Sequence, residues 1–313
     1  MDVNERETFM KTFLLGGKTA SRIAQGCMRI SGMSPAELDR LIKTDLELGI
    51  NFFDHADIYG GGACEELFGK FLHDNAGIRD RMLIQSKCGI RGGTYDFSKS
   101  HILQSVEGIL SRLQTDHLDY LLLHRPDTLM EPDEVAEAFT KLQREGKVCS
   151  FGVSNQHPLQ IELLQQALGD IPLIIDQLQF SLTNTTMIDA GLNVNMENAG
   201  AVNRDGMVLE YCRLHRITIQ PWSPFQYGFF EGAFIGSEKY PELNRKLEET
   251  ALRYNTTPTG MAAAWILRHP ACMQPVIGSV RPERMTEIAK AADITITHDE
   301  WYELYKASGK TLP

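Results

Sequence analysis

Along most of the chain, apolar residues at helical spacing alternate with short unbroken apolar runs. Leu38, Leu41, Ile42 and Leu46 form the first stripe. Ser34 can cap that helix, Pro35 suits its first position, Glu37 completes a capping box and Gly49 can close it. The run Ile50–Asp54 follows at once and predicts a short buried strand. The unit then repeats. Leu67, Phe68, Phe71 and Leu72 precede a strand predicted over Met82–Lys87. Ile102, Val106, Ile109, Leu110 and Leu113 precede Leu118–His124. Val135, Ala138, Phe139 and Leu142 lead through Gly146 to Val148–Val153. Further strands are predicted over Arg22–Cys27, Leu173–Leu178, Ile217–Trp222 and Met273–Ile277. Helices are predicted over Pro158–Leu168, Met207–His215, Glu242–Tyr254, Thr259–Arg268 and Pro282–Ala291.

Strands in regular alternation with helices predict an α/β fold of the (β/α)8 TIM barrel type, with a doubly wound open sheet as the alternative. Met10–Leu14 with Gly16-Gly17 predicts a short N-terminal hairpin ahead of the first barrel strand. No low-complexity linker divides the chain, so residues 1–313 read as a single domain. Ser181–Arg204 reads as a long polar loop that either covers a site or packs on the rim. Pro221 marks a strand end, because proline has no N–H for a ladder.

Composition adds exclusions. The chain is 42% hydrophobic and 23% charged, which is ordinary for a folded protein. Lys and Arg number 31 against 41 Asp and Glu, a formal net charge of -10. That balance argues against nucleic acid and anionic membrane surfaces as partners, and any anionic ligand needs a local cationic pocket. Met1–Glu7 has neither the basic nor the apolar segment of a signal peptide. The six cysteines are scattered without a Cys-x-x-Cys pair. Reduced thiols and a cytoplasmic location are therefore expected. The histidines show no metal-ligand spacing, so no metal is expected; oligomeric state is not indicated.

A barrel brings the C-terminal ends of its strands to one rim. Those ends carry Asp54 with nearby Tyr59, Lys87, His124, Ser154-Asn155, Gln177, Trp222-Ser223 and Gly278-Ser279. Hydride delivery to a carbonyl carbon leaves negative charge on oxygen, which needs a proton and an aimed donor. Tyr59 can supply the proton. Lys87 beside it is expected to favour the phenolate, Asp54 to balance the lysine, and His124 to donate a second hydrogen bond. The same Lys87 leaves open a Schiff-base barrel lyase.

Motif order resembles that of the aldo-keto reductase superfamily from about Thr12 to Ala291. Asn51–Gly60 is similar to its Asp-x-x-x-x-Tyr-Gly signature and is followed by Glu65-Glu66-Leu67-Phe68-Gly69. Ser86-Lys87-Cys88-Gly89, Leu122–Asp127 and Gly152-Val153-Ser154-Asn155 match further motifs. The resemblance implies a catalytic set of Asp54, Tyr59, Lys87 and His124. It implies that Ser154, Asn155 and Gln177 hold a nicotinamide carboxamide and that Trp222 stacks on the ring, with Ser223 beside it. Val276–Arg284 is similar to an adenosine-phosphate loop, with Gly278, Ser279, Arg281 and Arg284 as its candidate residues. Gly278 stands where many family members place Lys. NADP(H) is the expected cofactor and NAD(H) remains open. The expected function is reduction of small aldehydes or ketones, the alternative being an NADP(H)-binding redox-sensing or regulatory subunit. Phe225, Tyr227, Phe229 and Phe230 are expected to form an aromatic wall over the substrate.

Overall fold

A computed structural model describes residues 10–312; the Met1–Glu7 stretch lies outside them. Eight parallel strands carry the fold: β1 (Ala24–Gly26), β2 (Phe52–Asp54), β3 (Leu83–Cys88), β4 (Leu118–Leu123), β5 (Val148–Ser154), β6 (Leu173–Gln177), β7 (Thr218–Ile219) and β8 (Val276–Ile277). Their spatial order is β7-β6-β5-β4-β3-β2-β1-β8. The ends of that order meet. Ile219 bridges Met273 in parallel, Gln274 N donates to Ile219 O at 2.9 Å, and Val276 N donates to Pro221 O at 2.9 Å. The sheet is thus a closed (β/α)8 barrel, and the open doubly wound alternative is set aside.

Helices α1 (Pro35–Glu47), α2 (Ala63–Asp74), α3 (Lys99–Leu113), α4 (Pro132–Arg144) and α5 (Pro158–Leu168) follow the first five strands. The Ser34 and Glu37 capping box is present at α1. Beyond β6 come α6 (Thr186–Leu192) and α7 (Val208–His215); beyond β7, α8 (Pro241–Arg253) and α9 (Pro258–Leu267); beyond β8, α10 (Pro282–Ala291) and α11 (His298–Ala307). Sequence reading placed no helix at α11, although Thr297 and Glu300 form a capping box there. Its Trp301 ring stacks on Trp265 of α9 with centroids 4.8 Å apart. The polar segment 181–204 contains α6, whose Asp189 accepts from Tyr305 Oη at 2.9 Å and Lys310 Nζ at 3.0 Å. That segment packs on the outer layer, and none of its residues lines the main cleft. Among the described residues no helix is long and apolar enough to cross a membrane.

Period-two alternation sorts each strand. Phe53, Ile84, Leu121, Leu123, Phe151 and Val153 face the helices in one large apolar cluster. Phe52, Leu83, Tyr120, Leu122 and Ile175 face the barrel interior with Leu15 and Ala20. These last two belong to the expected hairpin, Thr12–Leu15 paired with Lys18–Ser21, which plugs the base. Tyr120 Oη donates to Leu15 O at 2.9 Å, and Lys18 pairs with the buried Asp119. Cys27 and Cys88 are core residues, whereas Cys149 is half-buried and accepts from Lys18 Nζ at 3.5 Å. His117, Asp119 and Cys149 do bring potential metal-ligand atoms together here, which spacing did not reveal. Lys18 and Arg79 already supply the positive charge that Asp119 needs.

The family-like motif ending in Gly69 has a packing reason. A Cβ at Gly69 lies 2.0 Å from Arg112 O and 2.9 Å from Leu113 Cα, so α2 crosses the backbone of α3 without room for a methyl group. Gly69→Ala is expected to cost about 1–3 kcal/mol through overpacking. Gly108→Ala meets only the flexible Arg112 guanidinium, at 3.0 Å, and is expected to be tolerated. Urea midpoints with unchanged slopes check this, and equal midpoints for the two variants count against the contact.

Candidate active site

The interior positions that follow the apolar base up each strand become polar. On β3 the inward sequence is Leu83, Gln85, Lys87; on β2 it is Phe52, Asp54; on β4 it runs Tyr120, Leu122 and then His124 just past the strand. Register sets Asp54 beside Gln85, and Gln177 beside Ser154. These side chains therefore share one end of one barrel because the pleat repeats every two residues.

Lys87 is fully buried. Its Nζ donates to Asp54 Oδ2 at 2.8 Å, to His55 O at 2.7 Å and to Tyr59 Oη at 3.1 Å. Burial alone lowers a lysine pKa, but the Asp54 carboxylate and Tyr59 raise this one above its ordinary value. The residue is held as an ammonium, the opposite of what an imine-forming lysine requires. Tyr59 departs from expectation: burial raises its pKa and outweighs the lowering by Lys87, so the phenol keeps its proton. His124 lies edge-on to Tyr59 with ring centroids 6.0 Å apart. Burial, with Lys87 and Arg125 adding to it, holds His124 well below the usual histidine range and so neutral.

Beneath this set lies a layer of buried glutamines that sequence reading largely missed. Gln85 Nε2 and Gln177 Nε2 both donate to Asp54 Oδ1 and to Gln220 Oε1. Gln220 Nε2 donates to Gln274 Oε1 at 2.9 Å, and Gln274 Nε2 to Ser21 O at 2.6 Å. The available signal was a glutamine inside each of several otherwise apolar strands.

A cleft of 660 Å³ opens above. It is lined by Asp54, Tyr59, His124, Ser154, Asn155, Gln177, Trp222, Ser223, Gly278, Ser279 and Arg284. Of the expected residues, Lys87 sits behind Tyr59 and Arg281 does not line the cleft; Arg281 N instead donates to Ser279 Oγ at 3.2 Å. Ser154 Oγ donates to Gln177 O at 2.8 Å, Asn155 Nδ2 to Ser154 Oγ at 2.7 Å and Trp222 Nε1 to Asn155 Oδ1 at 3.0 Å. Asn155 and Ser223 both adopt positive φ, 58° and 52°, where the chain turns sharply off β5 and past β7. Phe225, Phe229 and Phe230 line the cleft, but Tyr227 packs on Tyr240 instead, 5.4 Å between centroids.

The Aldo/keto reductase family matches residues 22–308. The chain belongs to that family. It is 36% identical to an uncharacterized oxidoreductase, YcsN, of Bacillus subtilis, over 94% of this chain and 96% of the relative. It is 35% identical to a 6-dehydroglucose reductase of Agrobacterium fabrum, over 93% and 96%. A thermostable aldo-keto reductase, Tm1743, solved with the inhibitor epalrestat, superimposes with a TM-score of 0.75 at 27% identity, covering 95% of this chain and 100% of that one. An aldo-keto reductase from Klebsiella pneumoniae in complex with NADPH has the same fold, with a TM-score of 0.76 at 22% identity over 96% and 95%. Membership makes the chain an oxidoreductase of carbonyl groups.

The segment that carries Tyr59 also holds a half-buried carboxyl. Asp57 Oδ1 has no hydrogen-bond partner. Burial and the neighbouring Glu65, which is itself paired with Arg112, push its pKa up to about 7. An unfolded aspartate titrates near about 3.9, so the folded state binds the extra proton between those values and its stability falls as pH rises through that window. Asp57→Asn is therefore expected to be more stable than the parent at pH 8, by on the order of 2–4 kcal/mol, and nearly equal to it at pH 4. Urea denaturation at both pH values checks the sign; a pH-independent difference contradicts it.

Proposed function

We propose that the chain, acting as one domain, is an NADP(H)-dependent carbonyl reductase in which Tyr59 is the general acid. The observation that carries this reading is the contact of Lys87 Nζ with Tyr59 Oη, 3.1 Å, at the floor of the cleft. When bound, the reduced nicotinamide supplies a hydride to the carbonyl carbon. Tyr59, held protonated, gives its proton to the carbonyl oxygen as negative charge develops there. The Lys87 ammonium stabilises the phenolate left behind, and Asp54 keeps that ammonium charged. Neutral His124 on the opposite side can donate to the same oxygen and orient it.

The donor set suits a dinucleotide. Gln177 commits its Nε2 to Asp54 and Gln220, which leaves Oε1 to accept from a carboxamide. Ser154 and Asn155 stand beside it, and Trp222 lines the same cleft with Phe230 and Arg125 against its ring. At the far end of the cleft, Ser279 and Arg284 flank the start of α10, whose N-terminus has no side-chain cap. Uncapped N–H groups with an arginine favour an anionic phosphate. With Gly278 in place of a cation, preference for the 2′-phosphate of NADP(H) rests on Arg284. The Klebsiella structure with NADPH supports the choice of cofactor, and the relative acting on 6-dehydroglucose makes a hydroxylated aldehyde part of any substrate panel.

Loss of reduced-cofactor absorbance across aldehydes and ketones, with NADPH and NADH in parallel, tests the reading. Turnover also separates an enzyme from a cofactor-binding regulatory subunit. Tyr59→Phe is expected to lower kcat by roughly 10²–10⁴-fold, the worth of general acid catalysis, while retaining cofactor binding. Near-parental kcat with chemistry rate-limiting removes Tyr59 from the role. Arg284→Ala is expected to weaken NADPH by roughly ten- to hundredfold and leave NADH nearly unchanged. Tryptophan quenching by each cofactor reads this; equal weakening of both assigns Arg284 to a shared part of the cofactor.

A further inference from the structure

Charge in the cleft runs against charge on the chain. Among the described residues, the cationic lining groups are Arg29, Arg125 and Arg284, and the only acidic one is Asp54, which Lys87 neutralises. The chain as a whole carries -10. Arg284 lies at the α10 end. Arg125 directly follows His124 and so belongs to the end of the cleft where Tyr59 and His124 meet.

Arg125 finds no carboxylate among the described residues. Among the described residues it makes neither an ion pair nor a side-chain hydrogen bond, whereas Arg40, Arg79, Arg91, Arg112, Arg245 and Arg253 all pair with acids. The acid nearest in sequence, Asp127, is taken: its Oδ2 accepts from Phe97 N and its Oδ1 from Leu129 N, both at 2.9 Å. The Arg125 guanidinium lies instead over the rings of Trp222 and Phe229, 5.5 and 5.9 Å from their centroids. Aromatic contact fixes the group while leaving its N–H donors unpaired. Arg29, on the loop after β1, is exposed on the same cleft and also has no partner among the described residues. The half-buried Arg125 guanidinium, its donors unpaired among the described residues, suits an anionic ligand, and the fork geometry of arginine suits a carboxylate.

We propose that Arg125, with Arg29 at the rim, recognises a carboxylate on the substrate, and that the preferred substrates are aldehydes or ketones with an apolar or aromatic body and a carboxylate remote from the carbonyl. This rests on the carbonyl-reductase reading above. The carbonyl carbon gains a C–H bond from the hydride, its C=O π electrons become an O–H bond with the Tyr59 proton, NADPH is oxidised to NADP⁺, and the carboxylate is unchanged. Phe229 and Phe230 supply the wall against which the body of the substrate lies.

The test compares 4-carboxybenzaldehyde with methyl 4-formylbenzoate, its uncharged ester, on the parent, Arg125→Met and Arg125→Lys. The parent is expected to prefer the acid in kcat/KM, mainly through KM, and to lose that preference as salt rises. In Arg125→Met the acid-to-ester ratio is expected to fall about ten- to hundredfold, with Arg125→Lys between the two. The proposal is overturned by equal kcat/KM for the pair, by an equal fall for both in Arg125→Met, or by a loss of NADPH affinity as large as the loss for the acid. A preference for neutral glyceraldehyde over the acid also overturns it, since Arg125 then serves hydroxyl groups. Binding of benzoate and benzamide, read by Trp fluorescence, needs no turnover. Benzoate is expected to bind the parent and not Arg125→Met, and failure of benzoate to discriminate between these proteins refutes the site. If neither aldehyde is reduced while benzoate binds through Arg125, the carbonyl-reductase reading fails and the anion site stands.

Discussion

A lysine ammonium with no solvent exposure is the constraint around which this barrel is organised. Removing such an ion from water costs several kcal/mol even after relaxation, and the cost is offset only if every proton of the ammonium finds an acceptor. Lys87 finds three: a carboxylate on the neighbouring strand, a carbonyl one residue beyond it, and a phenol at the start of the next turn. All three lie between Asp54 and Tyr59, so β2 and β3 must pair in one register. A slip of one residue turns Asp54 toward the helices and leaves the ammonium unpaired.

The interior of the barrel is graded along its axis for the same reason. The hairpin and an apolar layer close the base. A layer of glutamines comes next, and it gives Asp54 amide donors without adding charge. A carboxylate that receives both an ammonium and two amides is fixed in place as well as charge-balanced. Above that floor the walls are loops, from which Trp222, Phe229 and Arg125 reach the cleft. The buried polar set thus sits on rigid strand ends, while the walls of the cleft are left to loops, the segments that vary most readily in length and composition.

Electrostatics divides along the same boundary. Tyr59 and His124 are kept in their neutral forms mainly by burial, and the buried Lys87 is kept charged by its partners. Sequence reasoning weighed Lys87 against Tyr59 as a pair and expected the lysine to win. Desolvation, which belongs to the whole surroundings of the phenol, reverses that balance.

The sequence was enough for the barrel, for the helices between Pro35 and Ala291 other than α6, and for which strand ends carry the polar residues of the cleft. Alternation of helical stripes with short apolar runs is local, and motif order along the chain preserves the order of strands around a barrel. Tertiary structure alone decided what depends on neighbours remote in sequence. The glutamine layer joins β3 and β6 with Gln220 just past β7 and Gln274 just before β8, and no local pattern links those positions. Tyr227 turned away to Tyr240 while Phe229 and Phe230 turned inward, although all three share one loop. Arg281 and Arg284 are three residues apart at a helix start, yet of the two only Arg284 lines the cleft, while the Arg281 side chain is exposed. Arg125 stands in the Leu122–Asp127 motif with no role legible there; that no acid pairs with it among the described residues is a property of the fold, in which Asp127 is spent on backbone N–H groups. Periodicity tells which face a residue occupies, but what it meets on that face is set by closure of the barrel.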